Sequence, residues 1–259
     1  MSVANHLHVL VQDRSWGASL RSSGGLKLLR RPDMAVAKGA VNIIVMVAAS
    51  KLPMVGSFVR EANRRHHLKA LLVRADLDER WIVHLLDRAN IRTLRNLLVH
   101  RGDEPSGRIL GAWRAGFQDK LIADAVALPD RLLVVSCALE RMEVPYSRVS
   151  SLDKMAERER SEFEIDPDGS YLYWPKADVH LDLDSLRFAI DERARERAQL
   201  DAVRSNQRIG GAIALLRHSR GLSPNGIDGI SERQMRRIEH GHCVPRTATM
   251  EKLASAHGM

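Results

Sequence analysis

The sequence predicts an α+β protein, with small α+β domains in the middle of the chain followed by an all-α bundle at the carboxyl end. Three observations predict it. Strand-like and helix-like patterns alternate from Ser57 onward, and three strand-like runs follow one another between Leu121 and Val144. Finally, a short capped helix from Ser231 to Gly241 sits among other segments of helical period.

Residues 1–53 read as a loosely ordered amino-terminal extension that ends in a strand or short helix. The stretch Ser15–Gly25 has turn composition and no period. Ala40–Ala49 is apolar, but a bilayer span takes about 20 residues. A secretion signal starts close to the initiator Met, and dozens of residues precede this run.

Residues 54–118 read as an α/β segment. Phe58–His66 has helical spacing and Leu68–Val73 is strand-like. Asp76–Glu79 opens a helix whose inner face is Ile82, Leu85, Leu86 and Ala89. Leu94–Val99 fits a strand or a helix. Gly107–Phe117 predicts a helix with Leu110, Trp113 and Phe117 turned inward, and Trp81 joins the packed core or its rim. His66, His67 and His100 show no paired metal spacing and are expected at the surface.

Residues 119–190 read as a small α+β domain. Leu121–Ala127, Arg131–Cys137 and Arg141–Val144 are successive strands, and Pro129-Asp130 turns the first pair. A polar helix is expected over 152–161. Phe163 to Pro175 then gives strand, Pro-Asp-Gly turn and strand. Asp178, His180, Asp182 and Asp184 alternate with apolar residues, so a strand would carry them on one face. That face is either a divalent-metal surface or a wet face whose last Asp caps the next helix, and the second reading is preferred. Phe163, Ile165, Asp168, Gly169, Trp174, Pro175, Asp182 or Asp184, and Leu186 form a signature. Through it the block resembles a small bacterial α+β family of unknown function. The resemblance implies a fold but no catalytic residues, and some members lie beside toxin-like genes or are fused to DNA-binding modules.

A solvated linker helix is expected over 191–206, where charges of both signs alternate. Ile209, Ile213 and Leu216 then begin an amphipathic helix that ends at Gly221, and a short second element follows. Ser231 is a good N-cap, Gln234 completes a capping box, and Gly241 suits a left-handed C-terminal position. Met235 and Ile238 form one apolar stripe. Arg233, Gln234, Arg236 and Arg237 occupy the open side, where an arginine can clasp a guanine edge for about 1–3 kcal/mol of discrimination. Met250, Leu253, Ala254 and His257 mark a further helix.

The order of these elements resembles the lambda-repressor-like helix-turn-helix family of the Cro/cI or XRE type, over about residues 207–259. The carrying motifs are Leu216 to Leu222, Arg236 to Gly241, Pro245, and Leu253 to Gly258. The resemblance implies a partly buried salt bridge between Arg217 and Glu239. It implies that Glu232, Arg233 and Arg237 read bases or grip phosphates, with Ser231, Gln234 and Arg236 beside them. Two departures stand out. The segment after Leu222 is shorter than usual by roughly one helical turn. Pro224 replaces a base-reading Gln, so the second helix is expected to be stunted.

The 259 residues carry a net charge of +8, unevenly spread. Residues 68–203 hold 21 Lys/Arg against 25 Asp/Glu, whereas 204–259 hold 9 against 4. Phosphate should therefore repel the middle and attract the carboxyl end. Aromatic content of 4% argues against a base-stacking single-strand binder. Cys137 and Cys243 cannot make a zinc site alone, and a reducing cytoplasm suits them. No phosphate loop, zinc-hydrolase motif or nucleophile elbow is present, so the expectation is a protein that is not an enzyme and needs no cofactor.

These features predict a cytoplasmic, homodimeric, sequence-specific regulator bound to double-stranded DNA. Its sharper version is an autoregulating antitoxin whose middle domain masks a toxin-like protein partner. The alternative is a protein-interaction or metal-binding α+β protein with a degenerate helix-turn-helix module. No membrane partner is expected.

Overall fold

The computed structural model describes residues 6–12 and 26–256. The chain divides into two compact units, Met1–Ile190 and Asp191–Met259. Among the described residues, no helix is long and apolar enough to cross a membrane. The turn-rich Ser15–Gly25 stretch, and His257 and Gly258 at the end of the last motif, lie outside the described residues.

The first unit opens with β1 (Leu7–Val11), β2 (Leu26–Leu29), α1 (Met34–Gly39) and β3 (Ile43–Ala48). It continues with α2 (Leu52–Arg64), β4 (Leu68–Arg74), α3 (Glu79–Arg88), β5 (Leu97–His100) and α4 (Glu104–Ala115). All strand pairs are parallel, in the order β2-β1-β3-β4-β5. This is a doubly wound order, which reverses between β1 and β3. Local chemistry sets the helix starts: Ala35 N–H donates to Asp33 Oδ1, and Arg80 N–H to Asp78 Oδ1, each at 2.9 Å.

The sheet is covered on both faces. On one face Val45, Val47, Leu71 and Val73 pack with Ala37 of α1, Phe58 of α2 and Ile82 of α3. On the other, Ile44, Met46, Ala70 and Leu72 meet Ile109 and Leu110 of α4, together with Ala123, Cys137 and Leu139 from farther along the chain. All six residues of β3 are buried, as expected of a parallel strand packed on both sides. The described parts of residues 1–53 are therefore not a loose extension: β1, β2 and β3 supply three of the five strands. The apolar run at Ala40–Ala49 contains the central strand β3, whose uniform hydrophobicity is a product of two-sided burial.

Two antiparallel sheets complete the unit. β6 (Ile122–Ala127), β7 (Arg131–Ser136) and β8 (Arg141–Pro145) pair in sequence order. Two single-turn helices, α5 (Ser150–Asp153) and α6 (Glu157–Arg160), stand where one polar helix was expected. β9 (Glu164–Ile165), β10 (Tyr171–Trp174) and β11 (Val179–Asp182) form the second sheet, in the order β11-β10-β9. α7 (Leu183–Ile190) then packs Leu183 and Leu186 onto Ile122, Leu132, Val134 and Trp174. Gly169 turns the Pro-Asp-Gly corner at φ +85°, and its carbonyl accepts from Ile122 N–H at 2.7 Å. A Cβ at Gly169 would lie 2.3 Å from the Ile122 carbonyl oxygen, so only glycine fits.

Three side chains depart from the expected placement. His100 is buried at 4% exposure, because β5 carries it under the start of α4. Phe117 is 57% exposed, since Gly116 at φ +76° ends α4 and redirects the chain. Trp81 is 62% exposed on the outer side of α3. Trp113 is partly buried, and its indole N–H donates to the Cys137 carbonyl at 3.0 Å.

The second unit holds α8 (Glu192–Ser219), α9 (Glu232–Glu239) and α10 (Thr247–Ala256). The linker helix expected over 191–206 and the helix expected from Ile209 are one continuous 28-residue helix. Nothing between Asp191 and Ser219 breaks it: the Asp191 side chain accepts from Ala194 N–H at 3.0 Å, and no proline intervenes. Between Ser219 and Ser231 the backbone makes only turns, including Gly226 N–H to Ser223 C=O at 2.9 Å. The expected stunted helix is thus absent as a helix, because the shortened segment closes on itself within one turn.

Candidate nucleic-acid interface

α9 is built as its sequence prescribes. Gln234 N–H donates to Ser231 Oγ at 3.2 Å, which makes Ser231 the N-cap. Gly241 follows the helix at φ +70°. Met235 and Ile238 are fully buried and pack with Ile213 of α8, Ile227, Ile230 and Leu253 of α10. Burying each such side chain stabilises the unit by about 1.5–3 kcal/mol.

Two glycines let α9 lie close to α8. A Cβ at Gly210 would stand 2.3 Å from the Ile238 carbonyl oxygen, and one at Gly241 would stand 2.6 Å from Gln207 N. Beside them, Arg217 donates from Nε to Glu239 Oε1 at 2.5 Å and from Nη2 to Oε2 at 3.1 Å. Glu239 holds the guanidinium pKa above its ordinary value, chiefly through these hydrogen bonds. The salt bridge expected from the resemblance is present, with side chains only 4% and 11% exposed.

The opposite side of α9 faces solvent. Glu232, Arg233, Gln234, Arg236 and Arg237 are all exposed. Arg236 Nη2 pairs with Glu232 Oε1 at 2.6 Å, one turn apart, which reduces the charge that pair offers. Arg233 and Arg237 make no ion pair among the described residues. Glu232, Arg233, Arg236 and Arg237 border a shallow groove of about 430 Å³, which His240 and His242 complete. Gln234 is exposed but does not line it. The two histidines were not singled out in the sequence. Their rings stand 5.8 Å apart on either side of Gly241, and the left-handed turn there is what brings them to the groove.

The alternating face of Asp178, His180, Asp182 and Asp184 is not gathered into a site. Asp178 precedes the strand at φ +49°. His180 stacks on Tyr173 with ring centroids 4.2 Å apart. Asp182 Oδ1 accepts from Ser185 N–H at 2.7 Å, and Asp184 pairs with Lys120 at 2.7 Å and Arg187 at 3.1 Å. Among the described residues no group of three or more His, Cys, Asp or Glu is placed to hold a metal ion.

A second pocket corresponds to no sequence motif. A cleft of about 740 Å³ opens beyond the carboxyl ends of β4 and β5, between α3, α4 and the start of the antiparallel region. At its base the His100 Nδ1–H donates to the Gly102 carbonyl, a partner that only accepts, so Nε2 accepts from Ser106 Oγ at 2.8 Å. Burial lowers the His100 pKa and keeps the ring neutral. His100 and Ser106 are six residues apart with no motif to join them, and only the β5–α4 turn makes them neighbours.

Residues 122–192 match a family described as "Protein of unknown function (DUF2442)". No curated protein and no solved structure matches the chain. The signature residues from Phe163 to Leu186 all fall inside the matched stretch. Over about residues 122–192, from β6 through α7, the chain therefore carries a DUF2442-family domain.

Proposed function

We propose that this chain is a sequence-specific DNA-binding regulator that inserts α9 into the major groove of duplex DNA. The observation that carries the reading is the surface of α9. Met235 and Ile238 anchor it, while Arg233 and Arg237 stand exposed and without ion pairs among the described residues. Such a helix can present guanidinium groups to guanine edges and to phosphates. The missing second helix leaves α9 and its flanks to carry the contact. Selection of bound sequences from random duplex DNA tests the reading: an enriched motif supports it, and recovery of random sequence refutes it.

Modules of this kind dock as two-fold dimers on half-sites about one helical turn apart. Leu200 and Val203 on α8 are 57% and 50% exposed, three residues apart, and supply an apolar contact for a second copy. The regulator would act in the cytoplasm. In its sharper form it is an antitoxin whose DUF2442 domain masks a protein encoded next to it. That form predicts that the product of an adjacent co-transcribed gene co-purifies with the full chain, and it fails if no such partner exists.

A further inference from the structure

The cleft beyond β4 and β5 holds two opposite charges that attract each other without touching. Arg108, on α4, donates from Nε to the Ala123 carbonyl at 2.9 Å. Asp124, on β6, accepts at Oδ1 from Ala125 N–H at 3.0 Å. Both line the cleft, and neither forms an ion pair with any described residue. Burial disfavours the charge on each, lowering the Arg108 pKa and raising that of Asp124, and their mutual attraction opposes both effects. Each keeps hydrogen-bonding capacity toward the cleft, since a guanidinium has five N–H donors and a carboxylate two accepting oxygens.

The rest of the cleft narrows the class of ligand that could use both. Ile82, Leu86, Val99 and Ile165 form apolar walls. The formal charges of the lining balance, with Arg101 and Arg108 against Glu104 and Asp124, and burial shifts His100 toward its neutral form. With the formal charges of the lining in balance, an uncharged ligand suits it. The volume lies within the roughly 300–1,000 Å³ typical of small-molecule sites. The position, beyond the carboxyl ends of parallel strands, is where open α/β sheets place ligands, although here two strands away from the order reversal.

We infer that this cleft binds a small neutral heterocycle with a lactam edge, whose C=O accepts from Arg108 and whose adjacent N–H donates to Asp124. Uracil-type and guanine-type bases have that edge, and their flat faces suit the aliphatic walls. Nothing in this inference depends on DNA binding by α9.

Calorimetric titration of the full chain with uridine, guanosine, 3-methyluridine, 1-methylguanosine and hexanoate tests it. Saturable binding of uridine or guanosine is expected. Methylation of the lactam nitrogen should weaken it at least about tenfold, the cost of one hydrogen bond to a charged group. Arg108→Met and Asp124→Ala should each weaken it by a similar factor. Should both variants fail to fold, the methylation comparison on the unaltered chain still decides. The inference is overturned if neither nucleoside binds at about 1 mM, or if the methylated forms bind as well as their parents. Folded variants that bind like the unaltered chain would also overturn it. Binding of hexanoate alone would overturn it in favour of an anion site.

Discussion

Arg217 and Glu239 clasp α8 to α9 through two hydrogen bonds, and Arg217 Nη1 also donates to the Leu222 carbonyl at 2.5 Å. One side chain thus ties together the long helix, the turn segment and the candidate recognition helix. Because the pair is buried, removing one partner strands a charge. Arg217→Ala is expected to destabilise the second unit by about 3–5 kcal/mol. The double variant Arg217→Met, Glu239→Leu should recover most of that loss, since apolar replacement leaves no orphaned charge. Urea unfolding followed by helical circular dichroism gives both values. A single variant as stable as the parent would contradict the clasp.

Neighbouring glycines on α8 should respond in opposite directions. Alanine is the better helix former by about 1 kcal/mol, and at Gly211 a Cβ meets nothing within 4 Å. Gly211→Ala should therefore stabilise the unit by about 0.5–1 kcal/mol. At Gly210 the same Cβ would collide with the carbonyl oxygens of Ile238 and Glu239, at 2.3 and 2.6 Å. Backbone atoms cannot turn aside as a flexible side chain does, so Gly210→Ala should cost about 1–3 kcal/mol. Thermal melts of the two variants in parallel check the sign of each, and equal shifts would contradict the close crossing of α8 and α9.

What could be read in the chain beforehand follows the range of the interactions involved. Ser231 and Gly241 act within one helix, and so do Asp78 and its capped turn, so these boundaries were legible. β7 and β8 alternate and bury one face, and the strands β6–β8 pair with their neighbours in sequence. β1 is five residues long and finds its partners β2 and β3 only across parallel crossovers, so no local pattern marked it as part of a sheet. His100 looked like a surface residue because the groups that satisfy it, the Gly102 carbonyl and the Ser106 hydroxyl, come together only once β5 and α4 have formed. The 191–206 linker differs from the next helix in composition alone, and nothing in the chain breaks the helix there. Four of the six predicted contact residues share the α9 groove, because helical periodicity alone places them. The cleft of Arg108 and Asp124 depends on packing among strands of all three sheets and the helices α3 and α4, and leaves no mark in sequence spacing.

The buried His100 ring gives a pH dependence with a definite sign. Its folded-state pKa lies below the unfolded value of about 6.5. In that window the unfolded chain binds the proton more readily, so stability rises with pH. The contribution is complete above about pH 6.5 and is lost as the pH falls from there to the folded-state value, below which it changes no further. Comparing the parent with His100→Gln by urea unfolding between pH 5 and 8 isolates this residue from the other histidines. The difference in stability between the two proteins should shrink toward acid pH. A difference independent of pH would mean that the ring is not held neutral.

If α9 docks on duplex DNA as proposed, its exposed arginines should separate positioning from base reading. Arg233 lies in the first turn of the helix, beside the Ser231 cap, where side chains of a groove-bound helix reach base edges. Arg237 lies one turn later, toward Gly241 and the two histidines of the groove. Arg233→Ala should relax selection at one base position and cost about 1–3 kcal/mol on the preferred site. Arg237→Ala, if its contact is to phosphate alone, should weaken binding to all sequences alike and reduce the salt slope by about one. Arg236 is held by Glu232, so Glu232→Gln should free its guanidinium and strengthen nonspecific binding. Fluorescence anisotropy across a salt series, on the selected site and on scrambled duplex, measures all three. If Arg233→Ala and Arg237→Ala leave both affinity and salt slope unchanged, α9 does not contact the duplex, and the exposed arginines are an ordinary solvated face.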